Sequence, residues 1–228
     1  LASSLRIPGR LRCQQDVLVV EDNCCACHSA ALSLTLNEHQ YDLFFASFRN
    51  RLYEVPFLVV CDHSSRSVVV AIRGSASLSD LVTDMCMDDE AFTVDVDSDD
   101  VLREDQTLDS EQAVRVHRGM LRSARYVFDT LRRRHILDDV FVLCPGYKLV
   151  VCGHSLGAGV ASLLTLLLKQ QYADVQCFAY SPPGCVISQS GIREMSAHVM
   201  SVLVGDDMVC RLSFQVSLSV MIVRESRG

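Results

Sequence analysis

The most constraining stretch of the chain runs from Lys148 to Leu168, KLVVCGHSLGAGVASLLTLLL. A β-branched apolar run, Leu149-Val150-Val151-Cys152, meets Gly153-His154-Ser155-Leu156-Gly157. It passes directly into an apolar segment with the small residues Ala158, Gly159 and Ala161. G-x-S-x-G between a strand and a helix marks a sharp turn that lifts a serine hydroxyl out of a sheet edge. Both flanks are glycine because side chains there would meet neighbouring backbone. A helix starting behind the serine aims unpaired N–H groups at negative charge developing beside it. Ser155 is therefore the candidate nucleophile, and the N–H of Leu156 is one candidate oxyanion donor. Without chemistry, the same spacing would be a turn packed through small residues.

The surrounding pattern supplies a sheet for that turn. Phe57 to His63 (FLVVCDH) and Ser67 to Gly74 (SVVVAIRG) read as strands joined by a turn at Ser64 to Ser67, a hairpin feeding a larger sheet. The unbroken run VVVAI predicts burial on both faces. Val116, Met120, Ala124, Val127 and Leu131 recur at helical spacing within Gln112 to His135, and Arg132 to Arg134 close that helix at its negative end. Tyr147 to Cys152 is a strand, Val160 to Gln171 a helix and Val175 to Tyr180 a strand stopped by Pro182 and Pro183. A helix-like segment then leads to a strand at His198 to Val204. Strands alternating with helices predict an α/β class with parallel strands. Elsewhere, residues 37–54 read as a partly amphipathic helix, and Leu78 to Met87 as a short helix capped by Ser77 or Ser79. Asp88 to Glu111 is strongly acidic; it reads as an exposed loop, either a solvated connection or a lid or regulatory insert.

Composition narrows the function classes. With 49% hydrophobic and 21% charged residues in 228, a packed core is expected and general disorder is excluded. A net charge of -7 argues against a nucleic-acid partner, since phosphate neutralisation needs a basic excess. No apolar run reaches the roughly 18 residues of a membrane helix. Leu1 to Arg12 has three arginines and no apolar core of a signal peptide, and the first residue is not Met, as in a fragment. Residues 1–30 read as a linker. Eleven cysteines, an odd number, include Cys61, Cys144, Cys152 and Cys177 in or beside apolar runs, where thiols act as small hydrophobes. That usage predicts a reducing compartment. Cys24, Cys25, Cys27 and His28 form a dense cluster with three readings: an exposed linker, S-acylation beside a membrane, or a metal site lacking the usual second ligand pair.

A second oxyanion donor should come from an earlier strand end. Ile72-Arg73-Gly74-Ser75 closes one such strand. Ser75 there would either offer its N–H and Oγ to the same oxygen or make an ordinary turn; the residues alone leave both open.

VVVAIRGS, VHRGM, VVCGHSLGAG, CFAYSPPG and VLVGDDMVCRLS occur in this order. Together they resemble the class 3 (fungal-type) lipase domain, and most of all the catalytic domain of sn-1-specific diacylglycerol lipases. The resemblance runs over residues 31–214, leaving 215–228 as a divergent tail. It implies an α/β-hydrolase fold with a mostly parallel sheet flanked by helices. It also implies Ser155 as nucleophile, Ser75 and Leu156 at the oxyanion hole, and Asp207 as the acid of the triad, with Asp206 its neighbour. The implied substrate is diacylglycerol at a membrane surface, cleaved to 2-monoacylglycerol (2-arachidonoylglycerol among them) and a fatty acid. The implied location is membrane-associated, with the catalytic domain cytoplasmic and residues 1–30 juxtamembrane. No cofactor is needed for the chemistry, though calcium stimulation accompanies the family.

The pattern departs from the family at the base. The triad order in this fold is Ser, Asp, His. The histidines are His28, His39, His63, His117, His135, His154 and His198, and none follows Asp207. Cys210 also stands where the family has proline. The chain is thus expected to be C-terminally truncated and nearly inactive alone, with the roughly 10³–10⁴-fold residual acceleration left when a triad member is lost. Two rival readings remain: another lipid esterase of this fold (a monoacylglycerol or triacylglycerol lipase or a phospholipase A1), or a non-catalytic lipid-binding form.

Overall fold

A computed structural model describes residues 2–5, 17–22, 28, 30–32, 36, 41–74, 89–92, 114–205 and 210. Its frame is an eight-stranded sheet. The strands are β1 (Ala2–Leu5), β2 (Val17–Val20), β3 (Tyr41–Ser47), β4 (Phe57–Asp62), β5 (Ser67–Ile72), β8 (Lys148–His154), β9 (Gln176–Tyr180) and β10 (Val199–Val202), in the order β1-β2-β3-β4-β5-β8-β9-β10. β6 (Asp89–Ala91) and β7 (Arg115–His117) form a separate antiparallel ribbon. Among the described residues, the helices of eight residues or more are α1 (Arg118–Arg133), α2 (Ile136–Leu143), α3 (Leu156–Leu168) and α4 (Gln189–Ser196).

β5, β8, β9 and β10 are mutually parallel, and β2 is parallel to β3; the remaining pairings are antiparallel. The parallel half arises because each crossover carries helix. α1 and α2 lie between β5 and β8, α3 between β8 and β9, and α4 between β9 and β10. Apolar, β-branched runs in β4, β5 and β8 follow from burial on both faces. α3 is the central helix: every residue from Gly157 to Leu168 is buried, including Leu163, Leu166 and Leu167. Its two buried hydroxyls remain satisfied, Ser162 donating to the Ala158 carbonyl and Thr165 to that of Ala161, both at 2.8 Å. α1 packs on α3 where Gly159 leaves room for Met120; a Cβ at Gly159 would lie 2.4 Å from the Met120 sulfur.

Both strands of the expected hairpin are present, as are the expected strands at β8, β9 and β10. The helix expected from Val160 begins earlier, at Leu156. Of the long helix expected from Gln112, residues Arg115–His117 are strand, and the helix starts at Arg118 with the His117 ring accepting from the Met120 N–H at 3.3 Å.

Three expectations are corrected. Residues 41–47, read as helix, form β3, because Phe45 is fully buried against Phe57 (ring centroids 5.2 Å apart) and the whole segment pairs with β4. A register shift between Leu43 and Phe45 breaks the two-residue alternation that would have marked the strand. The linker expected over residues 1–30 contains β1 and β2, since the apolar run at Val17–Val20 covers the flank of β3 and buries Val19 and Val20. The acidic segment expected as a loop contributes β6, held to β7 and by an Asp89–Arg115 ion pair at 2.5 Å. The short helix expected at Leu78 to Met87 lies outside the described residues.

Candidate active site

β8 ends at His154, and α3 starts at Leu156, so the reversal falls on Ser155 alone. Its backbone sits at φ 57°, ψ -126°, a region that side chains rarely adopt. Three hydrogen bonds hold it there. The Ser155 N–H donates to the Tyr180 carbonyl at 2.9 Å, and the Ser155 carbonyl accepts from Ala158 at 2.9 Å and Gly159 at 3.3 Å. Ser155 thus stands at the N-terminal end of α3, where the helix dipole favours negative charge.

Backbone rather than side chain surrounds the turn. A Cβ on Gly153 would lie 2.3 Å from the Gly157 carbonyl oxygen, and one on Gly157 would lie 2.7 Å from that of Ile72. Gly74, at the exit of β5, is fitted equally closely: its Cβ would lie 2.4 Å from the His154 carbonyl oxygen. The end of β5 is therefore locked against the elbow. That contact sets Gly74 itself against the turn that carries Ser155.

Of the predicted site residues, Ser155 and Leu156 are brought together at this turn. Ser75, Asp206 and Asp207 lie outside the described residues. Ser75 follows Gly74 directly. Val202, the last residue of β10, is paired with Tyr180, which is paired with His154, so β10 exits on the edge that carries Ser155.

The described histidines are engaged elsewhere, with one exception. His63 contacts Tyr147 Oη and Asp42, each at 2.8 Å, at the opposite end of β8, roughly 25 Å of strand away. His198 contacts the Val175 carbonyl at 3.1 Å, at the entry of β10. His117 is buried as the cap of α1. His135 is bonded to Asp138 at 3.1 Å, and His28 to Asp22 at 2.9 Å. His154 is the exception: it is exposed and adjacent to Ser155 in the chain. Cys24, Cys25 and Cys27 lie outside the described residues, while His28 stacks on Phe48.

Sequence reasoning missed the part played by Tyr180 and Ser181. Ser181 adopts φ 49° and donates its N–H to the Val202 carbonyl at 2.9 Å, while the Tyr180 carbonyl holds Ser155. The Ser-Pro-Pro signal was present but marked only a strand stop.

A family model described as Lipase (class 3) matches residues 69–217. The chain belongs to the class 3 lipases. It is 36% identical over 187 residues to diacylglycerol lipase-beta of Mus musculus, covering 82% of this chain and 26% of that protein. It is 36% identical over 213 residues to diacylglycerol lipase-alpha of Homo sapiens, covering 90% of this chain and 19% of that one. This class 3 lipase chain therefore spans about a quarter or less of those relatives. Among solved structures it resembles a mono- and diacylglycerol lipase from Aspergillus oryzae, with TM-score 0.63 and 22% identity over 86% of this chain and 65% of that one. A lipase from Rhizopus microsporus var. chinensis gives TM-score 0.63 at 18% identity, covering 83% and 64%. These likenesses establish the α/β-hydrolase fold for the class 3 lipase chain. Among the described residues no helix is long and apolar enough to cross a membrane.

Proposed function

We propose that this chain carries the nucleophilic half of a serine lipase active site that hydrolyses diacylglycerol through an acyl-serine intermediate. The observation that carries the reading is the Ser155 backbone at φ 57°, ψ -126°, a strained turn with its hydroxyl at a helix N-terminus, in a class 3 lipase chain. The likeness to diacylglycerol lipases alpha and beta supports the substrate class.

In this mechanism Ser155 Oγ attacks the ester carbonyl carbon, and its proton passes to a general base. The carbonyl oxygen becomes an oxyanion held by the N–H of Leu156 and by the N–H and Oγ of Ser75. Collapse releases the glycerol alcohol, which takes the proton, and leaves an acyl ester on Ser155. Water then cleaves that ester by the same steps and releases the fatty acid. Asp207 orients the base. Cleavage falls on the sn-1 ester and leaves 2-monoacylglycerol, at the cytoplasmic face of a membrane and under calcium stimulation. The catalytic unit covers residues 31–214.

No histidine follows Asp207 within these 228 residues. His198 and His63 stand at the far ends of their strands, His117 is buried as the N-cap of α1, and His154 precedes Ser155 directly at the end of β8, where consecutive side chains point apart. The chain by itself is therefore expected to bind lipid and turn it over slowly. The test is labelling by a fluorophosphonate, with Ser155→Ala as control, alongside product analysis on defined diacylglycerols. Weak labelling of the folded chain that strengthens when a histidine-bearing C-terminal segment of a related lipase is appended supports the reading. Labelling at another residue, undiminished in Ser155→Ala, defeats it. Release of the sn-2 acyl chain first would defeat the positional assignment alone.

A further inference from the structure

Away from the elbow, Cys144 Sγ lies 3.3 Å from Cys61 Sγ, its thiol donating to the other sulfur. These residues come from distant parts of the chain. Cys61 is the penultimate residue of β4, paired with Asp42 on β3 and Val68 on β5. Cys144 caps the C-terminal end of α2. Among the six described cysteines, this is the pair in sulfur–sulfur contact. The gap exceeds a covalent S–S bond of about 2.05 Å by only about 1.2 Å.

Two further features suit the pair to covalent joining. Cys144 is the more accessible, 8% exposed against 4% for Cys61. It is followed by Pro145 and by Gly146 at φ 75°, a turn in open space where a Cβ would meet nothing within 4 Å. The backbone that must yield is thus a helix end and a loose turn, while Cys61 is fixed in the middle of a paired sheet.

We propose that Cys61 and Cys144 form an oxidisable latch, a disulfide made by a small peroxide and undone by thiols. The Cys144 thiol attacks hydrogen peroxide, giving Cys144 sulfenic acid and one water. The Cys61 thiol then attacks the sulfenic sulfur and expels a second water, leaving the S–S bond. In total two thiols lose two hydrogens and the peroxide takes them up. Cys144, the more accessible of the two and placed at a helix end, meets the peroxide first, and Cys61, held in the sheet and raised by burial, is the resolving thiol. The link ties β4 to the connection feeding β8, closing a loop of 83 residues in sequence separation. Constraint of so long a loop in the unfolded chain stabilises the fold.

The test uses the reduced, folded 228-residue chain treated with hydrogen peroxide, blocked with an alkylating agent, digested and mapped by mass spectrometry. The expected product is a peptide pair joined through Cys61 and Cys144, two hydrogens lighter than the reduced pair. Its melting temperature should rise by roughly 5–15 °C and return on adding dithiothreitol. Cys144→Ser should abolish both changes; the wild-type map decides the bond even if that variant fails to fold. Recovery of both residues as alkylated thiols, or of Cys144 as an unlinked sulfinic acid, would overturn the proposal. So would a joined chain that melts lower than the reduced one.

Discussion

The backbone of Ser155 permits a direct test of how the turn is held. At φ 57°, ψ -126° a residue with a Cβ carries strain of about 1–3 kcal/mol, whereas glycine adopts this region freely. Ser155→Ala removes the hydroxyl and keeps the Cβ; Ser155→Gly removes both. Comparing the two variants cancels the hydroxyl and isolates the strain. Glycine also loosens the unfolded chain, which offsets about 0.5–1 kcal/mol of the gain. The net expectation is that Ser155→Gly is more stable than Ser155→Ala by up to about 2.5 kcal/mol, with a midpoint of about 1 kcal/mol. For a chain of this size that midpoint is roughly 2–4 °C in melting temperature. Urea unfolding of both variants, followed by fluorescence and far-UV circular dichroism, supplies the numbers. A Ser155→Gly variant no more stable than Ser155→Ala would mean the turn is not strained, and the reasoning that ties backbone geometry to a nucleophile would fail.

Three other outcomes are expected. Gly153→Ala should lose about 1–3 kcal/mol or more, because its Cβ would lie 2.3 Å from a backbone carbonyl that cannot move without displacing α3; urea midpoints read this. Phe45→Ala should cost about 3–5 kcal/mol, since the ring is fully buried against Phe57, and a loss below 1 kcal/mol would contradict the placement of β3 in the core. Burial pushes the Cys177 thiol up to about 12, outweighing the downward pull of the neighbouring Thr165 and Ser162 hydroxyls. The folded state therefore holds that proton after an unfolded thiol near 8.5 has lost it, so the stability is fully present below pH 8.5 and declines as pH rises from there towards 12. Unfolding measured at pH 9 and 10 should show a slope about 1.4 kcal/mol per pH unit gentler in Cys177→Ala than in the wild type.

The parts of the fold that sequence reveals are those where local signals and tertiary demands agree. β4, β5, β8 and β9 are uninterrupted apolar runs bounded by turn residues, and the elbow between β8 and α3 is fixed by two glycines that tolerate no side chain. β3 was legible only as a mixed signal, because the register shift near Phe44 spoils its alternation and the spacing of Tyr41, Phe44 and Phe45 suits a helix as well. α2 follows α1 after a reversal at His135, which adopts φ 51°, a left-handed conformation that no glycine announces. At the site, Ser155 and the first turn of α3 are local and readable. The carbonyl of Tyr180 that anchors them is not, because which backbone group faces which depends on sheet order.

The contact between Gly74 and His154 joins positions 80 apart in sequence, and the partner contacts of Gly157 reach back to Ile72 and Arg73. Closing a loop of that length is entropically costly and slow relative to forming a helix. The elbow therefore cannot take shape while α3 is forming; it must wait until β5 and β8 have docked. An isolated α3 or a collapsed intermediate would leave Ser155 relaxed and chemically ordinary. Reactivity of this serine is accordingly a reporter of completed assembly: a pulse of covalent probe during refolding should mark only those molecules in which the two halves of the sheet have met.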